Sequence, residues 1–238
     1  MPKQTFENLP DEKRRRLVDF AIDEFAEHPF AQASLSRIVA RAGIAKGSIY
    51  QYFDDKLDLY RWLLTHEVAR LKQEHLAAAV PPASGDLFDR LGAMYLAGLR
   101  FLLSHPRIAR LGARAMEPSG DPGADQVHTE LRRMGLDGMR ALLVDARSAG
   151  ELAPGVDIDL AAHVIAQVMG PGLTNALLER IGTDLEGLLN DPRLALRIGE
   201  TELKALAQGA AGMLRRGIGG GDAGGPSNSS KQAKGAKR

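Results

Sequence analysis

Residues 34–56 read SLSRIVARAGIAKGSIYQYFDDK, and this stretch decides how the N-terminal region folds. Ser34 suits the cap of a short helix, because its hydroxyl can accept from a backbone amide of the first turn. Leu35, Ile38, Val39 and Ala42 then fall on one face at helical spacing. Gly43 follows, where a left-handed residue ends a helix without steric cost. Ile44 plugs the corner, and a second helix is predicted from about Lys46, with Ile49 and Phe53 turned inward. Two short helices, a tight glycine-containing turn and an apolar plug describe a helix-turn-helix.

The outward face of the second helix carries the chemistry. Lys46, Ser48, Tyr50, Gln51 and Tyr52 crowd its first turns, and Gly47 keeps the approach surface flat. A recognition helix enters the major groove by its N-terminal portion, where amide hydrogens and the helix dipole favour phosphate. Lys46 and Lys56 are placed to bracket phosphates. Tyr50 and Tyr52 can give hydroxyls to phosphate or rings to sugar and thymine methyl, and Ser48 and Gln51 have polar edges that read bases. For either tyrosine alone, packing inside the protein is the alternative.

Working outward, residues 11–28 place Leu17, Phe20, Ala21, Phe25 and Ala26 on a helical stripe opened by Pro10 and acidic first-turn residues. A longer helix is predicted from Asp54 or Asp55 through Leu57, Tyr60, Leu63, Leu64, Val68 and Leu71, fading before Pro81-Pro82. Further helical blocks cover 84–104, 106–116, 124–148, 158–181 and 200–216, with a loop at 117–123 and an irregular stretch at 183–199. Gly170-Pro171-Gly172 should kink or interrupt its block. No run alternates like a strand, so the fold class is all-α. From 218 to 238, Gly and Ser dominate and the end is basic; this reads as a disordered tail, either solubilising or in loose phosphate contact.

Composition removes several classes of function. With no cysteine, disulfide scaffolds, thiolate zinc sites and cysteine nucleophiles are excluded. The six histidines form neither an HExxH motif nor an i, i+4 pair, and no G-x-S-x-G or P-loop occurs, so neither catalysis nor a cofactor or metal is expected. The start lacks a secretory apolar segment and no later run is long enough to span a bilayer, so a soluble, cytoplasmic chain without membrane association is expected. The net charge is only +1. Within 1–60, nine Lys/Arg face ten Asp/Glu, so nucleic-acid affinity would have to arise from where the charges sit.

AGIAKGSIYQYFDDKLDLY resembles the signature of the TetR family of transcriptional regulators. The likeness spans Leu17 to about Leu64 and rests on Ser34, Ile38, Ala42-Gly43, Lys46-Gly47, Tyr50, Phe53 and Lys56. By that resemblance Ser34, Arg37, Lys46, Gly47, Ser48, Tyr50, Gln51, Tyr52 and Lys56 face DNA, while Ile38, Ile49 and Phe53 are core. Position 45 is Ala where the family commonly has a hydroxyl, which withholds an N-cap worth about 0.5–2 kcal/mol.

The resemblance further implies a helix-turn-helix domain at 1–55 and a helical effector-binding and dimerisation domain at 56–217. The small residues of 158–181 and 200–216 suit the close helix contacts of a symmetric dimer, with burial within one chain as the alternative. An effector pocket, for an apolar or amphipathic small molecule, is expected at Trp62, His66, Met94, Tyr95, Phe101, Met116, Met134 and Met139; the same side chains also make ordinary core. The implied activity is dimeric repression at a palindromic operator in double-stranded DNA, relieved by the effector. A helical protein-interaction module, and a regulator that activates or acts without ligand, are the alternatives.

Overall fold

The computed structural model describes residues 2–79 and 85–220, with the backbone alone at Lys46 and residues 76–79. A short helix α1 (Gln4–Glu7) precedes α2 (Asp11–Glu27), α3 (Leu35–Ala42) and α4 (Ile49–Tyr52), the last entered through a 3-10 turn at Lys46–Ser48. Helix α5 (Lys56–Trp62) passes through a π turn at Leu63–Glu67 into α6 (Val68–Ala79). Then follow α7 (Leu87–Ser104), α8 (Pro106–Arg114), α9 (Pro122–Ser148), α10 (Ile158–Gln167), α11 (Leu173–Ile181), α12 (Leu185–Asn190) and α13 (Glu200–Ile218). No strand occurs among the described residues; Leu152 and Gly219 form an isolated bridge.

The helix ends predicted at Ser34 and Gly43 form, and Asp55 adds a further cap. The Ser34 hydroxyl accepts from the Arg37 amide, the Asp55 carboxylate accepts from the Asp58 amide at 2.8 Å, and Gly43 closes α3 at φ 69°. Ala45 supplies no side-chain cap, and the turn after it is drawn tight, with the Ser48 amide bonded to the Ala45 carbonyl at 2.9 Å. At 168–172 a π turn replaces a sharp kink, the wider turn accommodating Pro171, which has no amide to donate.

Two hydrophobic cores hold the chain. The first gathers Leu17, Ala21 and Phe25 of α2, Ile38 and Val39 of α3, Ile49, Phe53, Leu59 and Leu63, and continues into Phe101, Ile108 and Leu111. The second joins α7 to α13, α9, α10 and α11 through Leu91, Tyr95, Leu143, Ile165, Leu177 and Leu203. Ala207, Ala210 and Ala211 are buried within the chain, and a Cβ on Gly92 of α7 would stand 3.5 Å from that of Ala211. The small residues of α13 thus bring two helices of one chain together. At the other end of α13, the Ala153 amide bonds to the Ile218 carbonyl and the Gly220 amide to Glu151, so the expected tail is held as far as Gly220. Residues 221–238 and the Pro81-Pro82 punctuation lie outside the described residues.

Glu24 occupies the inner stripe of α2 and is 1% exposed. Its carboxylate accepts from the Ser34 amide at 2.7 Å and from the Arg37 guanidinium, including Nε at 3.0 Å. Burial pushes this acid up, but the Arg37 fork and the Ser34 amide outweigh burial and hold it below the usual carboxylate range. A depressed pKa means that stabilisation is present above the unfolded value and is lost as pH falls through the folded one. Glu24→Gln should cost about 1–2 kcal/mol near pH 7, since Arg37 is half-exposed and partly rehydrates. Urea titrations at several pH values should show that gap closing in acid, below the ordinary glutamate range.

Candidate nucleic-acid interface

Helices α3 and α4 present the face that the sequence singled out. Tyr50 is 54% exposed, Gln51 and Gly47 are exposed, and nothing lies within 4 Å of where a Gly47 Cβ would sit. Ser48 is half-buried, and behind this surface Ile49 and Phe53 are fully buried. Tyr52 is half-buried, its ring centroid 6.3 Å from that of Phe6, so it divides its surface between core and solvent. Lys46 sits on the first turn of this helix, and its side chain lies outside the described residues.

Three other predicted residues have structural partners. Ser34 is engaged as the cap of α3. Arg37 is tied to buried Glu24 and donates to the Gln32 carbonyl at 2.8 Å. Lys56, expected to bracket phosphate, turns inward: its ammonium donates to the carbonyls of Phe30 at 2.7 Å and Ala33 at 3.1 Å, and lies 4.4 Å from the centre of the Phe30 ring. The Phe30 carbonyl also accepts from the Ala33 amide at 3.2 Å, and the flexible cation adds a second donor there and one at Ala33, just beyond the tight turn Phe30–Gln32. Lys56→Met should therefore lower stability by about 1–3 kcal/mol while the salt dependence of DNA binding stays put. A slope smaller by about one would instead return Lys56 to the phosphates.

The eight residues expected to line one pocket are spread over different environments. Trp62 packs edge-on against Phe6, with centroids 5.0 Å apart, and near Phe53. His66 is exposed beside Thr65, and Met116 and Met134 are exposed. Tyr95 and Met139 are buried in the second core and Phe101 in the first, beside His75 and His105, while Met94 is half-buried. Methionine and aromatic residues served as core and surface here, which a list drawn from residue type alone does not separate.

The sequence reading missed the polar joint, around the first core, between α2 and α5 on one side and α8 and α9 on the other. Arg114 of α8 donates to the Ala26 and Glu27 carbonyls at 2.7 and 3.0 Å, Arg107 pairs with Asp23, and Arg61 of α5 meets Glu130 of α9 at 2.6 Å. Buried Tyr60 and His128 stand 2.9 Å apart, at a cavity of about 70 Å³ that Phe25, Phe30, Arg114 and Ser119 also line. Burial raises the Tyr60 hydroxyl to about 12 and lowers His128 below the usual imidazole range. Helices α2 and α8, and α5 and α9, are thereby joined, and α2 in turn packs on α3.

Known proteins share this fold. Residues 17–62 match the family described as "Bacterial regulatory proteins, tetR family". A TetR family transcriptional regulator from Chloroflexus aurantiacus J-10-FL, known from its crystal structure, is 33% identical, with a TM-score of 0.71 over 92% of this chain and 99% of that one. This chain belongs to the TetR family. It is a helix-turn-helix, DNA-binding transcriptional regulator and not an enzyme. The probable acrEF/envCD operon repressor of Escherichia coli K12 is 27% identical over 177 residues, 72% of this TetR-family chain and 79% of the repressor. The transcriptional regulator FadR of Bacillus subtilis, solved in complex with stearoyl-CoA, is 21% identical with a TM-score of 0.60 over 78% and 99% of the two chains, a likeness of fold. Among the described residues, no helix of this TetR-family member is long and apolar enough to cross a membrane.

Proposed function

We propose that the protein is a cytoplasmic, dimeric repressor that reads a palindromic operator through Gly47, Ser48, Tyr50 and Gln51, with Lys46 at the phosphates, and is released by a small molecule. The observation that carries the reading is the exposed polar face of α4 above buried Ile49 and Phe53. Residues 1–55 are the DNA-reading part and 56–217 the sensing and pairing part. Two copies related by a twofold axis would set their recognition helices about 34–36 Å apart, one turn of the duplex.

Pairing is supported by a face that carries large apolar groups in solvent. Leu160 is 62% exposed, Val164 45% and Met169 37% along α10 and the π turn, beside a shallow hollow lined by His163, Val164, Gln167, Val168 and Gly172. Met213 of α13 is likewise 62% exposed. An apolar or amphipathic effector is favoured by the Bacillus subtilis FadR complex with stearoyl-CoA, and the joint at Arg114, Tyr60 and His128 supplies a path from the sensing helices to α2. An effector that prefers a conformer with altered helix spacing lowers operator affinity by its differential binding energy, about 1–3 kcal/mol.

Fluorescence anisotropy on the duplex that the parent binds best tests the reading. Tyr50→Ala and Gln51→Ala should each weaken that duplex by about 1–3 kcal/mol and leave a scrambled duplex nearly unchanged. Equal binding of both duplexes by parent and variants would remove the recognition helix from its role.

A further inference from the structure

The recognition helix is too short to hold itself. With its 3-10 turn it runs only from Lys46 to Tyr52, it has no side-chain cap at Ala45, and isolated helices below about 12 residues are marginal in water. The last carbonyls of any helix lack amide partners within it. Here every one of them is satisfied. The Phe53 amide bonds to the Ile49 carbonyl at 2.9 Å. The next three carbonyls are met by a segment more than forty residues earlier in the chain. Lys3 Nζ donates to the Tyr50 carbonyl at 2.9 Å, the Thr5 hydroxyl to Gln51, and the Lys3 amide to Tyr52 at 2.8 Å.

Two further contacts fix the segment itself. Lys3 Nζ pairs with Asp54 at 2.8 Å, beyond the end of α4. Phe6 of α1 is 1% exposed and packs its ring against Phe53 and Trp62, each centroid 5.0 Å away. The anchor is therefore in the core, and the donors above it meet three successive carbonyls of the helix whose outer side carries Tyr50 and Gln51. Losing these donors would free the C-terminal end of α4 to fray, and with it the two side chains best placed to read bases.

We propose that Lys3 and Thr5 are positioning residues for DNA reading, clamping the C-terminal end of the recognition helix. The proposal rests on the assignment of Lys46–Tyr52 as that helix. The clamp acts on the shape of the reading face and not on phosphate.

The test uses the full chain with Lys3→Met, Thr5→Val, both together, Lys3→Arg, and Tyr50→Ala as reference, on the parent's best duplex and on a scrambled one. Lys3→Met and Thr5→Val should each weaken the best duplex about three- to ten-fold, and the pair about ten- to a hundred-fold. Binding to the scrambled duplex should hold, Lys3→Arg should restore affinity, and exchange of the Phe53 amide should quicken by a similar factor. Retained affinity in the double variant, with Tyr50→Ala impaired, overturns the clamp and leaves the recognition helix standing. Equal loss on both duplexes with a salt slope smaller by about one makes Lys3 a phosphate contact and also overturns it. If Tyr50→Ala binds like the parent, the assignment of the recognition helix fails first, and the clamp fails with it.

Discussion

Phe53→Ala is expected to cost about 3–5 kcal/mol, enough to leave a domain of ordinary stability marginal at 37 °C. Phe53 is 1% exposed and lies where four elements meet: its ring is 5.0 Å from Phe6 of α1 and 5.6 Å from Trp62 of α5, and it joins the core that holds α2 and α3. Truncation removes the apolar surface of a whole ring and opens a void that the surrounding rings cannot close without leaving their rotamers. The Phe53 amide also closes the end of α4, so loss of the ring loosens the proposed recognition helix as well as the core beneath it. Urea unfolding of both proteins measures the difference. A cost below about 1 kcal/mol would mean that the ring is not packed as described.

If the chain pairs as proposed, Leu160→Glu should leave the subunit folded and abolish pairing. Leu160 lies on the outer face of α10, and its neighbours Ala161 and Ala162 face inward and are buried, so a charge at 160 disturbs little within the chain. At a twofold interface the same substitution appears twice and sets two carboxylates into an apolar contact, which costs far more than one surface change. A single subunit then engages half an operator, and losing the second attachment should lower affinity about 100-fold or more. Sedimentation and operator titration read the two effects. A variant that remains dimeric would place the pairing surface elsewhere.

Much of the helix-turn-helix was legible because its signals are local. Ser34 and Gly43 mark the ends of α3 by hydrogen bonding and backbone sterics, and Ile38, Ile49 and Phe53 follow helical spacing. Even Glu24 could have been found, since it shares the phase of Leu17, Ala21 and Phe25 and a carboxylate in that stripe needs a cation. Helix α1 was not legible: four residues show no period, and Phe6 declares itself only by meeting Phe53 across the fold. The direction of Lys56 escaped for a related reason, because a long flexible stem reaches carbonyls inside as easily as phosphates outside. In the C-terminal part, helix positions followed periodicity, but pocket residues did not, since Trp62, Tyr95 and Met134 have similar chemistry and end in three different settings. The alanines of α13 show the same ambiguity, suiting either a partner subunit or α7 and in fact packing on α7.

The most direct measurement is selection from a randomised pool of duplex DNA, with the parent and Tyr50→Ala carried through in parallel. Enrichment of a palindrome with half-sites one helical turn apart by the parent, and its loss with Tyr50→Ala, is the expected result. Recovery of the same motif by both proteins, or of salt-sensitive binding without any motif, would contradict sequence reading by α4.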